Sequence, residues 1–465
     1  MLNIKAKEII EATGGLLKSG GSDFIVNNIS LDTRTLKKGD FFIPLMGQNY
    51  DGHNFIIEAY NKKAIGCLCE ETKFKDLLKK FKNNLPKDFS IIVVEDTLRS
   101  LGYIAGLYRN GFKIKAIAIT GSNGKTTTKE LVYNLLLTKY KREEVLVTEK
   151  NFNNEVGVPQ TIFKLNNKVK IFLAELGINH IGEMQRLARM VSPDIGLITN
   201  IGNTHLEFLK NNKIVAKAKG EMIPFIKDKL ILNFDDTFYN YFLNITDKPV
   251  KSFSLNTAIP LEEVVHFDSY KDLGIEGFEI SYKGLNFRFK LVGEHNLYNL
   301  LAALSVAEEF GISIKDCKEV IENFKPVEYR GEVIKRKDYI IYFDAYNANP
   351  SSSRALLYFL SNLNYRFKLA ILGDMMELGK KAMKYHTEVL QYADNLNIDL
   401  ILTYGNIYRR VRKERNVNKD KIESYTELEK IGKRVNELAE KYKGEMIIVV
   451  KGSRKMEMER LLKFI

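Results

Sequence analysis

Cysteine is scarce in this chain of 465 residues: only Cys67, Cys69 and Cys317 occur. The odd count and the lack of metal-ligand spacing exclude a disulfide framework and a zinc ribbon, and buried thiols are expected instead. Long apolar runs are also missing. No stretch approaches the roughly 18 consecutive apolar residues of a membrane span. The opening MLNIKAKEII carries charges where a signal peptide needs an apolar core, so a cytoplasmic protein without membrane insertion is expected. There is no internal repeat and no low-complexity linker. Hydrophobic residues (45%) and charged residues (28%) stand in globular proportion. The length exceeds what one core can organise, and three domains are expected.

Charge is unbalanced. Lys+Arg number 71 against 58 Asp+Glu, a net +13, which suits an anionic partner such as a nucleotide or polyphosphate. The basic runs KKFKNNLPKD and YRRVRKERN lack the interleaved aromatics of nucleic-acid binders, so they read as solvated faces and no nucleic-acid partner is expected.

Apolar periodicity divides the chain into three. Residues 1–95 open on the helical IKAKEIIEATGG, pass through the short runs DFFIPLMG and AIGCLCE, and close on the strand-like IIVVED, a small α/β unit. Residues 96–325 begin with the amphipathic TLRSLGYIAGLYR and the buried-strand run IKAIAIT. The runs KIFLAELG, DIGLITNI, KLILNF and FRFKLVG then recur, which predicts a mostly parallel sheet covered on both faces. At 326–465 the pattern restarts with YIIYFDAY, KLAILGD, DLILTYG and EMIIVVKG, each followed by a helical stretch, as in a Rossmann-like domain. The fold class expected is α/β throughout.

The sharpest local signal is AIAITGSNGKTTTKE, a buried strand, a glycine turn and a helix start. Gly121, Ser122, Asn123 and Gly124 form the turn, Lys125 ends it, and Thr126, Thr127 and Thr128 open the helix. Backbone N–H groups in such a turn wrap polyphosphate, the lysine reaches the β and γ phosphates, and Thr126 is placed to ligate Mg²⁺. The strict P-loop pattern needs a glycine where Ile119 stands.

With that departure, TGSNGKTTT resembles the loop of the Mur ligase and folylpolyglutamate synthase family. The likeness continues through KNFNNEVGVPQTI, AELGINHIGEM, ITNIGNTHLEFL, VAKAKGEM and GEHNLYNLLAALSVAEEF. It implies ATP as cofactor with two Mg²⁺ ions, held by Thr126, Glu175 and His205, and an N-carboxylated lysine at Lys219. From the residues alone, Glu175 ends an apolar run where a strand terminus faces a nucleotide crevice, whereas His205 is an unusual ligand for so hard a cation. Lys217, two residues away on the same helix, faces elsewhere.

The resemblance further implies an adenine pocket at Asn296 and Asn299, a nucleotide-facing Arg330 in EYRGEV, and Asp344 at the ribose. YNANP, GDMMELG and KGSR fit the family's C-terminal domain, although Phe343 and Ala345 stand where its common form has an acid and a serine. The segment SLDTRTLKKGDFFIPLMGQNYDGHNF resembles the family's uridine-binding domain, with Asp32, Thr33, Arg34, Gly47 and Asp51 in the corresponding positions. Asn153, Asn154, Tyr346, Asn347 and Asn349 complete the substrate-binding set. Folylpolyglutamate synthases lack the uridine domain, and the D-N-P-R signature of the diaminopimelate-adding branch is absent.

The resemblance thus implies a monomeric ligase that joins D-Ala-D-Ala to UDP-N-acetylmuramoyl-tripeptide through an acyl-phosphate, with Lys125, Glu175, His205 and Lys219 as its catalytic set. Two alternatives stay open at this point: another branch of the family, a folylpolyglutamate synthase included, and a nucleic-acid-binding ATPase suggested by charge and loop.

Overall fold

The computed structural model describes every residue except 48, 203–208, 210 and 257–263. Three α/β sheets follow one another along the chain. The first orders the strands Leu16–Ser19, Ser90–Val94, Gly66–Glu70, Phe41–Phe42 and Ile29–Ser30, antiparallel only at the Leu16–Ser19 edge. Gly66–Glu70 is central and packed on both faces, so Cys67 and Cys69 are buried free thiols, as is Cys317. Burial pushes the Cys69 thiol up to about 12.

The second sheet is wholly parallel among the described residues. Its strands run in the order Val264–Val265, Val250–Phe253, Lys229–Asn233, Ile195–Ile198, Lys115–Thr120, Ile171–Glu175 and Val145–Val147. These strands are apolar in both directions because helices cover both faces. Lys125–Leu136 and Glu294–Glu309 enclose one core, and Glu183–Val191 and Asn212–Gly220 enclose the other. Strand order reverses at Lys115–Thr120, so the crevice at its carboxyl end is where a ligand is expected.

FRFKLVG departs from the expectation of a parallel strand. Strand Leu285–Phe289 pairs antiparallel with Phe278–Tyr282, which pairs in turn with Ser269–Asp272, in a separate three-stranded sheet. Lys283 (φ 48°) and Gly284 (φ 75°) form the two-residue turn, and positive φ at both positions matches the strand twist that favours a tight hairpin.

The third sheet orders Arg330–Lys335, Tyr339–Asp344, Met446–Lys451, Phe367–Gly373, Leu400–Tyr404 and Ile422–Tyr425, antiparallel only between the first two. Helix Thr97–Asn110 joins the first two sheets. The Asp96 carboxylate accepts from Arg99 N at 2.9 Å and caps it. Leu101 and Ile104 enter the first core while Ala105 enters the second. No described helix is long and apolar enough to cross a membrane.

Candidate active site

The glycine turn leaves strand Lys115–Thr120 at the switch point, and its conformation accounts for both glycines. Gly121 has φ 151°, and a Cβ there would lie 1.8 Å from Thr199 Oγ1. Gly124 has φ 80°, and a Cβ there would lie 2.1 Å from Asn299 Oδ1. Only a residue without a side chain fits either place.

The turn is braced from the next parallel strand. Thr199 Oγ1 donates to Asn123 O at 2.6 Å, and Asn200 Nδ2 donates to the same oxygen at 3.0 Å. Asn123 N donates back to Asn200 Oδ1 at 3.0 Å, while Ser122 N donates to Asn200 O at 2.9 Å. Thr199 and Asn200 therefore hold the cradle's shape, and sequence reasoning missed them. The motif ITNIGNTH was visible, but nothing local shows that its first polar pair reaches the turn.

Two lysines converge inside the turn. Lys125 Nζ and Lys219 Nζ each donate to Gly121 O at 2.9 Å. Lys219 is 1% exposed, whereas Lys217 is on the solvent side. Desolvation, with the nearby Lys125 charge added, holds the Lys219 amine well below the ordinary lysine range. Desolvation also lowers Lys125, with Glu175 pulling the other way.

Glu175 stands at the end of its strand, 2% exposed. Its Oε1 accepts from Asn153 Nδ2 at 2.9 Å and from Thr126 Oγ1 at 3.2 Å. Its Oε2 is buried and has no hydrogen-bond partner among the described residues. A carboxylate oxygen left bare in the interior is costly unless a cation meets it, and beside a threonine hydroxyl the donor set is one that Mg²⁺ favours. Thr126 and Glu175 thus fit a metal of that kind. His205 lies outside the described residues, and among those described no three His, Cys, Asp or Glu side chains form a metal cluster.

Asn296 and Asn299 are buried in the first two turns of helix Glu294–Glu309. Asn296 Nδ2 donates to Val292 O at 2.8 Å; Asn299 Nδ2 donates to Asn296 Oδ1 at 2.9 Å, and Asn299 Oδ1 accepts from Thr128 Oγ1 at 3.2 Å. The pair thereby links this helix to the one that carries Thr126 and Thr127.

The third sheet reaches the same place. Asn349 caps helix Pro350–Asn362, accepting from Ser352 N at 2.9 Å, and its Nδ2 donates to Asn123 Oδ1 at 2.8 Å. Asn347 Oδ1 accepts from Ala348 N. The Arg330 guanidinium stacks 3.8 Å from the Tyr346 ring centre, with a buried Nε that has no described hydrogen-bond partner. Asp344 Oδ2 accepts from Lys451 Nζ at 2.6 Å, and Lys451 is 2% exposed. Lys451 is a third residue, after Thr199 and Asn200, whose place at the site the sequence does not disclose, although the KGSR motif contains it.

The residues read as uridine-binding lie in the first unit. Asp32 receives the Arg34 side chain, with its shortest contact at 2.6 Å, and that bond together with the Arg34 N–H holds the acid at about 2. Thr33 O accepts from Lys62 Nζ at 2.7 Å. A Cβ on Gly47 would meet the Tyr50 ring at 2.4 Å. Asp51 caps the short turn Gly52–Phe55 and accepts from His53 Nδ1 at 2.7 Å and Lys73 Nζ at 2.8 Å. Asn154 Oδ1 accepts from Val156 N and Gly157 N.

Known proteins resemble this arrangement. The model of the Mur ligase middle domain matches residues 119–307, and that of the Mur ligase, glutamate ligase domain matches residues 329–454. UDP-N-acetylmuramoyl-tripeptide–D-alanyl-D-alanine ligase of Bacillus subtilis is 30% identical over 100% of this chain and 98% of its own length. MurF from Acinetobacter baumannii superposes with TM-score 0.84 at 26% identity, covering 99% of this chain and 98% of that one. MurF ligase from Thermotoga maritima in complex with ADP gives 0.76 at 26% identity, covering 94% and 96%. With matches across both sheets that form the crevice and a relative aligned from end to end, this chain belongs to the Mur ligase family.

Proposed function

We propose that this chain is the ATP-dependent ligase that joins D-Ala-D-Ala to UDP-N-acetylmuramoyl-tripeptide, giving the pentapeptide, ADP and phosphate. The end-to-end likeness to ligases of that name supports the substrate pair. The observation that carries the chemistry is the buried Glu175 Oε2, left unpartnered beside Thr126 and the glycine turn.

In this reading the backbone N–H groups of the turn and the Lys125 ammonium hold the β and γ phosphates, and Arg330 approaches them from the third sheet. The tripeptide carboxylate attacks the γ-phosphorus, ADP leaves, and an acyl-phosphate forms; the dipeptide amine then attacks that carbonyl and phosphate departs. Such transfers ask the protein mainly for positioning and charge compensation. Thr126 and Glu175, with His205, would hold Mg²⁺, which supplies neutralisation of the phosphates when bound. Asp344, fixed by Lys451, is assigned to the ribose, and Asn296 and Asn299 to the adenine side. Asp32, Thr33, Arg34, Gly47 and Asp51 are assigned to the UDP end, with Asn153, Asn154, Tyr346, Asn347 and Asn349 toward the peptide. One chain, acting as a monomer, carries the whole set.

Lys219 is read as the site of N-carboxylation. A lysine kept neutral by burial has a free nitrogen lone pair, which adds to the carbon of CO₂ with loss of one proton. The product carries negative charge toward the metal side, where an ammonium would oppose it.

The test is a ligation assay with UDP-N-acetylmuramoyl-tripeptide, ATP and D-Ala-D-Ala, read by product mass. The pentapeptide is expected with one ADP per bond formed. Preferential use of L-glutamate with a folate would overturn the assignment.

A further inference from the structure

Lys129 has no part in the roles above, yet it is 1% exposed and stands one turn beyond Thr126 on helix Lys125–Leu136. An ammonium withdrawn from water is costly unless its partners compensate, and the nearby positive end of the helix dipole gives it no help. Its Nζ donates to Thr148 O at 2.7 Å and pairs with Glu130 Oε1 at 2.8 Å. Glu130 is partly open to solvent. The interior partner of the charge is therefore a main-chain carbonyl.

That carbonyl begins a segment which holds Glu175 by both its main chain and its side chain. Thr148, itself buried, follows strand Val145–Val147, and its Oγ1 accepts from Glu175 N at 2.8 Å. Further along, Asn153 Nδ2 donates to Glu175 Oε1 at 2.9 Å, and Asn153 O accepts from Gly177 N at 2.8 Å. Lys129 ties the head of this segment to the helix that carries Thr126.

The tie bears on the place where a cation is expected. Thr126 Oγ1 and Glu175 Oε1 are 3.2 Å apart, and Glu175 Oε2 beside them is buried and unpartnered. Thr126 is set by the helix, Glu175 by its strand and by residues 148–153. Two oxygens that share an ion as demanding in geometry as Mg²⁺ must keep their spacing closely, so a charged bond from the helix to the 148–153 segment sets one ligand against the other.

We infer that Lys129 is a positioning residue: acting through Thr148, it holds Glu175 in register with Thr126 so that both meet the same divalent cation. The inference rests on reading Thr126 and Glu175 as metal-facing groups, and it places a buried lysine behind them.

The test is binding of Mn²⁺, an ion that oxygen ligands also suit, to the nucleotide-free full chain, read from the electron paramagnetic resonance of the unbound ion. In Lys129→Met the Kd for Mn²⁺ should rise about tenfold, the scale of losing one charge-assisted hydrogen bond. The Mg²⁺ concentration for half-maximal ligation should rise with it. Lys129→Arg should recover part of the loss. Thr148→Val keeps the carbonyl and removes only the oxygen that receives Glu175 N; it should weaken Mn²⁺ in the same direction, and it remains informative if Lys129→Met fails to fold. The double variant should bind Mn²⁺ no worse than the weaker single one, because the two act in series. A normal Mn²⁺ Kd in either folded single variant, with only the melting temperature changed, would mean a purely structural lysine and overturn the inference; so would additive losses in the double variant. If wild type binds no Mn²⁺, the metal-facing reading falls and this inference with it, whereas the ligase reading stands or falls on the ligation assay alone.

Discussion

Lys125 and Lys219, 94 residues apart in sequence (219 − 125), donate to one and the same acceptor, the Gly121 carbonyl. Two cations so close in a desolvated place are unfavourable, and the fully buried member yields its proton first. We expect Lys219→Ala to lower ligation by about a hundredfold or more, the scale of losing a preorganised charge at a phosphoryl site. Added short carboxylic acids should restore part of it. Lys217→Ala, on the solvent face, should turn over like wild type. Equal rates in the two variants would remove Lys219 from the site.

The same lysine sets a stability trend. Its folded-state pKa lies well below the ordinary 10.5, so the unfolded chain binds more protons between those two values. Stability should therefore rise with pH across that window as far as 10.5. Urea titrations of metal-free protein in buffer purged of CO₂ should show the rise, and Lys219→Met should flatten it. A slope unchanged by that substitution would assign the trend to other groups.

Gly121→Ala and Gly124→Ala test the turn. The left-handed backbone alone costs a non-glycine residue about 1–2 kcal/mol at Gly124, and Asn299 cannot step aside freely because Thr128 and Asn296 hold its amide. At Gly121 the obstacle is Thr199, itself bonded to Asn123. Both variants should melt earlier and bind ADP more weakly by calorimetry. Pairing Gly121→Ala with Thr199→Ser should not rescue it, because the serine keeps the Oγ that collides.

Asn349→Ala removes a helix cap and the contact between the third sheet and the phosphate turn. The cap should account for about 1 kcal/mol of stability. The lost bond to Asn123 should show separately in scattering, as a larger radius of gyration without ligand than wild type has. In wild type, an ATP analogue together with the UDP-substrate should hold the compact form. An identical scattering curve for variant and wild type would leave Asn349 as a cap only.

Asp51 makes the first unit acid-sensitive in a defined range. Burial opposes its charge, but Lys73 and His53 outweigh burial and hold it at about 2, against an ordinary 3.8. The stabilisation is complete above 3.8 and disappears as pH falls through 2. Denaturant midpoints of wild type should drop across that interval, and those of Asp51→Asn should drop less.

The parts of the site that could be read from sequence are those whose meaning is local. A turn of glycines after a buried strand carries its function in consecutive residues, and so do an acid at a strand end and the helix register that separates Lys217 from Lys219. What escaped depends on partners far along the chain. Thr199 and Asn200 act only because a parallel strand brings them to Asn123. Lys451 acts only because strands Met446–Lys451 and Tyr339–Asp344 are neighbours. The hairpin 278–289 departs from expectation for another reason: FRFKLVG follows a series of buried parallel runs, but Arg288 and Lys290 alternate with Phe287 and Phe289 as a one-sided strand requires.

Helix Thr97–Asn110 has a consequence for how the molecule can be taken apart. Leu101 and Ile104 fill the first core, and Gly102 leaves room for Met190 of the second unit, whose Cε would lie 2.7 Å from a Cβ there. A fragment ended before this helix would expose a raw apolar face, and a fragment begun with it would carry one. Neither piece is then a safe expression unit, and a cut within 324–327 is no cleaner, because Val292 of the second unit is buried beside Tyr342 in the third unit's core and Phe324 belongs to a core of the second. Exchange of the first unit between relatives would have to carry residues 97–110 with it and match Met190 on the other side.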